Sequence, residues 1–112
     1  SDRKIDMIIS GGANIYPAEI EAALISHPAV ADCAVFGIPD DEWGEQVKAA
    51  VEFEPGVVAT EADLIHWCRE HLAGFKCPRS VDVHEAMPRE ATGKLKKRLL
   101  RDAYWEGYDR AI

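Results

Sequence analysis

Cysteine is too sparse here to organise a fold. Cys33, Cys68 and Cys77 are odd in number and widely spaced, with no C-x-x-C pair, so neither a disulfide framework nor a zinc site is indicated. His66, Cys68 and His71 come nearest to a ligand cluster, but His66 and His71 stand five residues apart and point to different faces of a helix. Also lacking is any apolar run near the roughly 20 residues needed to cross a bilayer. The opening Ser1-Asp2-Arg3-Lys4 has no secretory pattern. The expectation is a soluble, cytoplasmic domain with no integral membrane segment. Excess positive charge is missing too: a net charge of −7 argues against phosphate-backbone binding as the main work, and no nucleic-acid partner is expected. No internal repeat, low-complexity tract or interdomain linker occurs.

What remains is an ordinary globular chain. Its 112 residues suit one domain with a modest core, and 47% apolar with 29% charged residues is a folded balance rather than a disordered one. Ile5 to Ile9 reads as a short strand, broken by Ser10-Gly11-Gly12-Ala13-Asn14 and resumed at Ile15-Tyr16. Pro17 opens a helix over 17–27, with Glu19 and Glu21 at its positive end, Ile20, Ala23 and Leu24 facing inward, and Pro28 stopping it. Val30 to Phe36 predicts a strand followed by the turn-rich Gly37-Ile38-Pro39-Asp40-Asp41. Val47, Ala49, Val51 and Phe53 then alternate with polar or small residues, which predicts a second strand with one buried face.

Thr60 to Asp63 is a capping arrangement ahead of Leu64, Ile65, Cys68 and Leu72, giving a helix over about 61–73 that Gly74 ends. Phe75 to Arg79 reads as a loop and Val81 to His84 as a short strand. The order β-β-α-β-β-α-β-α, with neighbouring strands pairing antiparallel, predicts an α+β domain. Its expected form is a small antiparallel-rich sheet with an N-terminal β-hairpin and about three helices packed on it.

One segment asks for a chemical explanation. Pro88-Arg89-Glu90-Ala91-Thr92-Gly93-Lys94 places a lysine after a flexible Thr-Gly loop, and past Gly93 the residues Leu95, Leu99, Leu100 and Ala103 recur at helical spacing among Lys96, Lys97, Arg98 and Arg101. Lys94 thus stands at a loop-to-helix junction, where a cation can meet an anion. A solvated basic helix is the plain alternative. A phosphate loop of the G-x-x-x-x-G-K-[ST] type is not, because Pro88 and Leu95 occupy the positions that need Gly and Ser or Thr.

Three segments in order carry a resemblance. They are Asp2-Arg3-Lys4-Ile5-Asp6-Met7-Ile8-Ile9-Ser10-Gly11-Gly12-Ala13-Asn14-Ile15-Tyr16-Pro17 with Glu19 and Glu21, then Val35-Phe36-Gly37-Ile38-Pro39-Asp40 through Trp43-Gly44-Glu45, then Phe75-Lys76-Cys77-Pro78-Arg79 with Pro88-Arg89 through Thr92-Gly93-Lys94. Together they resemble the C-terminal domain of the adenylate-forming acyl-CoA synthetases, a superfamily that also holds luciferases and peptide-synthetase adenylation domains. The likeness covers nearly the whole chain.

The resemblance implies that residues 1–112 are a single lid domain, inactive alone, whose partner is the large N-terminal domain of the same enzyme. Such enzymes use ATP and Mg2+ to convert a carboxylic acid, here expected to be a fatty acid, to an acyl-adenylate, and then pass the acyl group to coenzyme A. No metal is expected to bind this domain itself. By the same likeness Lys94 is the catalytic cation of adenylation. Preorganised donors of this kind are typically worth on the order of 10²–10³ in rate. Lys96 and Lys97 are expected to be solvated or structural.

The expected cofactor-binding residues are Arg3, Gly11, Gly12, Trp43, Phe75 and Arg79. Arg3 matches an arginine that reaches the ribose. Gly11 and Gly12 match a turn lining the pantetheine tunnel, where a side chain would obstruct. Trp43, Phe75 and Arg79 match positions that hold the coenzyme A nucleotide by stacking and phosphate pairing. The hinge is expected at Lys4-Ile5. Two departures stand out: Ile5 where many relatives have Asp or Lys, and Cys77 where some carry a basic residue. Asp6 reads as structural. Two other functions fit: a lid serving a carrier protein, or a stand-alone module docking an acidic partner through Lys94 to Arg101.

Overall fold

A computed structural model describes residues 6–108. Arg3 and the expected hinge at Lys4-Ile5 lie outside them. The elements run β1 (Ile8–Ser10), β2 (Ala13–Ile15), α1 (Pro17–Ile25), β3 (Val30–Asp40), β4 (Gly44–Phe53), α2 (Glu61–His71), a 3₁₀ turn (Gly74–Lys76), β5 (Ser80–Val83) and α3 (Lys97–Trp105). This is the expected α+β order, with the N-terminal hairpin and three helices in place.

Strands β1 and β2 pair antiparallel around Gly11 and Gly12, whose φ values of 58° and 86° suit a two-residue turn with both central residues left-handed. Strands β3, β4 and β5 form a separate sheet in that order. The β3–β4 pair is antiparallel, from Val30 opposite Phe53 to Asp40 opposite Gly44. Strand β5 runs parallel to β4, Lys48 to Val51 facing Ser80 to Val83, so the antiparallel expectation fails for this pair. The cause is α2, a crossover long enough to return the chain to the end where β4 began. Thr60 and Asp63 close that helix's capping box: the Thr60 hydroxyl accepts from the Asp63 N–H at 3.0 Å, and the Thr60 N–H donates to the Asp63 carboxylate at 3.3 Å.

Other boundaries shift for local reasons. Helix α1 ends at Ile25, two residues early, where the Ser26 hydroxyl donates to the Ala23 carbonyl. Helix α2 ends at His71 because Leu72 is already extended. Strand β3 runs through the expected turn to Asp40. Pro39 is tolerated there because β3 is an edge strand.

The largest departure concerns β4, expected to bury one face. It buries both: Val47, Ala49 and Val51 pack with Ile8, Ile20, Leu24, Val35 and Leu64 on the side of α1 and α2. Ala50 joins Ala34, Phe36, Ile38 and Met87 on the other side, under Leu95 and Leu100. The polar residues of this second face are covered only because each is paired. Lys48, 6% exposed, sits 2.8 Å from the Asp82 carboxylate, donates to the Ser80 hydroxyl at 3.0 Å and lies over the Tyr104 ring. Glu52 pairs with Arg89 at 2.8 Å. Neutralised in this way, a charged strand face can carry a helix.

Candidate functional site

Within the described chain Gly11, Gly12, Trp43 and Arg79 gather at one end of the β3–β4 ribbon, Phe75 stands on the 3₁₀ turn that precedes Arg79, and Lys94 lies toward the other end. The first group is built on the hairpin tip. Asp40 ends β3 and its Oδ1 accepts from the N–H groups of Glu42 and Trp43 at 2.9 and 2.8 Å, folding the Asp40–Gly44 connection. Its Oδ2 accepts from the Gln46 amide at 2.8 Å and faces the Arg79 guanidinium at 3.4 Å. The Trp43 N–H, aided by Glu42, Gln46 and Arg79, holds the Asp40 carboxyl below its ordinary range even against partial burial. Asp40 is therefore a charged post that fixes Trp43 and steadies Arg79. Sequence reading gave Asp40 no role, although Asp two and three residues before the amides it accepts from is a recognisable turn signal.

Trp43 in turn closes on the β1–β2 turn. Its carbonyl accepts from the Gly11 N–H at 2.8 Å, and its ring covers Gly11 so closely that a β-carbon there would lie 2.7 Å from Cζ3. Gly12 differs: no atom stands within 4 Å of where its β-carbon would be. The two glycines thus have separate jobs, one making room for a ring and the other leaving an open edge. Trp43 stays 44% exposed and the Arg79 side chain 56%. Phe75, also exposed, lies on the 3₁₀ turn four residues before Arg79, with the Lys76 ammonium 5.7 Å from its ring centre and tied to Glu19 at 2.9 Å. An exposed Trp43 ring and a guanidinium whose one side-chain contact among the described residues is at 3.4 Å can take a flat heterocycle and a phosphate.

The second group lies at the far end of the ribbon. Residues 88–96 form a small hairpin: Lys96 N–H donates to the Pro88 carbonyl, Arg89 bridges Leu95, Glu90 N–H donates to the Lys94 carbonyl, and Gly93 N–H donates to the Glu90 carbonyl. Gly93, at φ 93°, supplies the left-handed residue the tight loop requires. Lys94 follows it, exposed, and among the described residues its ammonium has no ion-pair partner. Helix α3 begins only at Lys97, so Lys94 belongs to the hairpin rather than to the helix junction that the sequence suggests. It lines an open groove of about 790 Å³ with Glu90, Arg98 and Arg101.

Of the other cations of this segment, Lys97 and Arg101 are engaged, while Lys96 and Arg98 are exposed and, like Lys94, have no ion-pair partner among the described residues. Lys97 pairs with Asp6 and Glu21, both at 2.7 Å, while Glu21 also accepts from the Val35 N–H. Asp6 and Lys97 are thus structural, as expected. Arg101 stacks on Trp105 and faces Asp102. The three candidates for metal ligands have gone separate ways: His66 faces Glu70, Cys68 is buried in the core, and His71 stacks on Trp67.

Comparison with known proteins defines the class. Residues 19–94 match the AMP-binding enzyme C-terminal domain. The 2-succinylbenzoate–CoA ligase of Bacillus cereus is 52% identical over 100 residues, which cover 89% of this chain and 20% of that protein. The fold matches a fatty acyl CoA synthetase of Mycobacterium tuberculosis at a TM-score of 0.82 and 46% identity, over 89% of this chain and 20% of that one. ATP-bound MatB of Rhodopseudomonas palustris matches at 0.84 and 38%, over 93% and 21%. The chain belongs to the family of AMP-binding enzyme C-terminal domains. It spans about 20% of the length of the curated relatives it matches. Among the described residues no helix is long and apolar enough to cross a membrane.

Proposed function

We propose that this chain is the lid domain of an ATP-dependent, AMP-forming acyl-CoA ligase, supplying one catalytic cation to adenylation and one wall of the coenzyme A channel to thioester formation. The observation that carries the reading is the separation of its two groups. Arg89, which holds the Lys94 hairpin, is anchored at Asp32, and Trp43 and Arg79 are anchored at Asp40. Eight residues of one strand separate the anchors, roughly 26 Å at about 3.3 Å per residue. One active centre cannot use both ends at once. A lid that turns between two half-reactions can use each in sequence.

In the adenylation pose, Lys94 donates to the carboxylate and α-phosphate oxygens as negative charge redistributes. An unpaired ammonium on a closed hairpin needs little reorganisation to do so. ATP and Mg2+ are held by the rest of the enzyme. In the thioester pose, the open edge at Gly12 lets the pantetheine arm pass, Gly11 seats Trp43 beside it, and Trp43, Phe75 and Arg79 receive the nucleotide. Arg3 completes the nucleotide contacts near the hinge. Relatives named for succinylbenzoate and for fatty acyl groups share this domain, so it gives the fatty-acid expectation no support. The choice of acid belongs to the remainder of the enzyme. Coenzyme A is preferred over a carrier protein as acceptor because relatives named as CoA ligases match most of this chain.

The test is a pair of half-reaction assays on the full-length enzyme. Lys94→Ala is expected to lower acyl-adenylate formation by about 10²–10³-fold while sparing thioester formation from supplied acyl-adenylate. Equal loss of both half-reactions would refute the division of labour.

A further inference from the structure

Arg89 holds more of this molecule together than a surface arginine should. Its Nη2 lies 2.9 Å from Asp32 Oδ2 and 2.8 Å from Glu52 Oε1, and its Nη1 donates to the Gly93 carbonyl at 3.1 Å. Both carboxylates are themselves pinned by backbone. Asp32 accepts from the Cys33 N–H at 2.8 Å, and Glu52 from the Met87 N–H. Asp32 and Glu52 also face each other across the β3–β4 ladder, so the two anions form one fixed cradle on the sheet. The Gly93 carbonyl belongs to the peptide that joins Gly93 to Lys94. A guanidinium bridging that cradle to that carbonyl ties the lysine's own backbone to the sheet.

From this geometry we infer that Arg89 is the positioning residue of Lys94: clamped by Asp32 and Glu52, it fixes the Gly93–Lys94 peptide and so sets where the ammonium can reach. The inference rests on the reading of Lys94 as the adenylation lysine. Backbone hydrogen bonds close the hairpin on itself, but they leave its attitude toward the sheet free. Arg89, the Leu95 side chain packed on the Phe36 cluster, and Met87, buried in that cluster with its N–H on Glu52, remove that freedom. Only a planar fork can serve two carboxylates with one nitrogen and a carbonyl with another. A lysine keeps the charge and loses this arrangement.

Arg89→Lys and Asp32→Asn in the full-length enzyme test the inference, with Lys94→Ala as the reference. Displacement of a reacting group by about 1 Å can cost up to about 10²-fold. Arg89→Lys is therefore expected to slow adenylation by about 10- to 100-fold through kcat, with the KM for ATP and the thioester half-reaction little changed. Asp32→Asn should act in the same direction, more weakly. The double variant Arg89→Lys/Lys94→Ala should adenylate no more slowly than Lys94→Ala alone, because a positioning residue has nothing left to position. A merely structural arginine would instead lower the melting temperature and depress both half-reactions, in the presence or absence of Lys94. Wild-type adenylation by Arg89→Lys, or multiplicative losses in the double variant, would overturn the inference while leaving Lys94 catalytic. Intact adenylation by Lys94→Ala would overturn the underlying reading instead.

Discussion

Gly11 and Gly12 are adjacent, both left-handed and both exposed, yet alanine should not cost the same at each. The backbone term is shared: an L-residue in the left-handed region is disfavoured by roughly 1–2 kcal/mol, and φ is 58° at Gly11 and 86° at Gly12. The side-chain term is not. At Gly12 a methyl group meets nothing within 4 Å, whereas at Gly11 it would sit 2.7 Å from Trp43 Cζ3, well inside the 3.5–4.0 Å at which carbon atoms are in comfortable contact. Either the ring or the turn must move by about 1 Å. Overpacking in a closed core costs about 1–3 kcal/mol. Trp43 is 44% exposed and can swing outward, so the lower end applies. Gly12→Ala is expected to lose about 1–2 kcal/mol and Gly11→Ala about 2–3 kcal/mol in urea unfolding of the 112-residue chain. Tryptophan emission should change in Gly11→Ala alone. Equal losses, or unchanged emission in Gly11→Ala, would refute the claim that Gly11 exists to seat the ring.

Other consequences of the packing can be checked on the same chain. Phe36, 1% exposed between Ala34, Ile38, Ala50 and Met87, should cost about 3–5 kcal/mol when cut to alanine; a loss below about 1 kcal/mol in urea unfolding would mean that α3 does not cover this face. Burial pushes the Cys33 thiol up to about 12 and Cys68 to about 11, and raises Cys77 as well. At pH 8 a disulfide reagent should label the native protein only as fast as it opens, and stoichiometric labelling within the mixing time would count against the buried placement. Burial raises the Asp82 carboxyl, but hydrogen bonds from Lys48 and Tyr104 outweigh it and leave the carboxyl below 3.8. A carboxylate depressed in the folded state contributes stability above its unfolded pKa and loses it as pH falls through the folded value. Acid titration below about pH 4 should therefore unfold the wild type with a steeper limb than Asp82→Asn, and parallel limbs would show that the Lys48 pair contributes nothing.

The parts of the molecule that were legible from sequence are those whose cause is local. Pro17 and the Thr60 to Asp63 box announce helix starts within a few residues of themselves, and both helices begin where expected. The misjudged features depend on distant partners. Alternation in β4 suggested one wet face because Lys48 and Glu52 look solvent-bound. Their burial became permissible only when β5 brought Asp82, and the segment after it brought Arg89 and α3. The turn expected after Phe36 was overridden in the same way: Gly37, Ile38 and Pro39 pair with Val47, Gln46 and Glu45, and β4 extends the strand beyond its local preference.

The same distinction explains why the motifs in the sequence point to Lys94, Trp43 and Arg79 as candidates but not to what holds them. These candidates sit on exposed loops, where sequence spacing and composition are all there is to read. Their supports lie across the fold: Asp40, at the end of β3, reaches Arg79 just ahead of β5, and Asp32 and Glu52 reach the Lys94 hairpin through Arg89. In both cases the support is a carboxylate on the β3–β4 ribbon that is fixed by backbone N–H groups and grips an arginine of a loop. Repetition of that device at both ends makes the ribbon a stiff bar with an arginine-held loop at each tip. A domain built this way can change which tip it presents by turning as a whole, with neither tip refolding. Such a turn would cost the two tips nothing in internal order, which is what the proposed alternation of half-reactions requires.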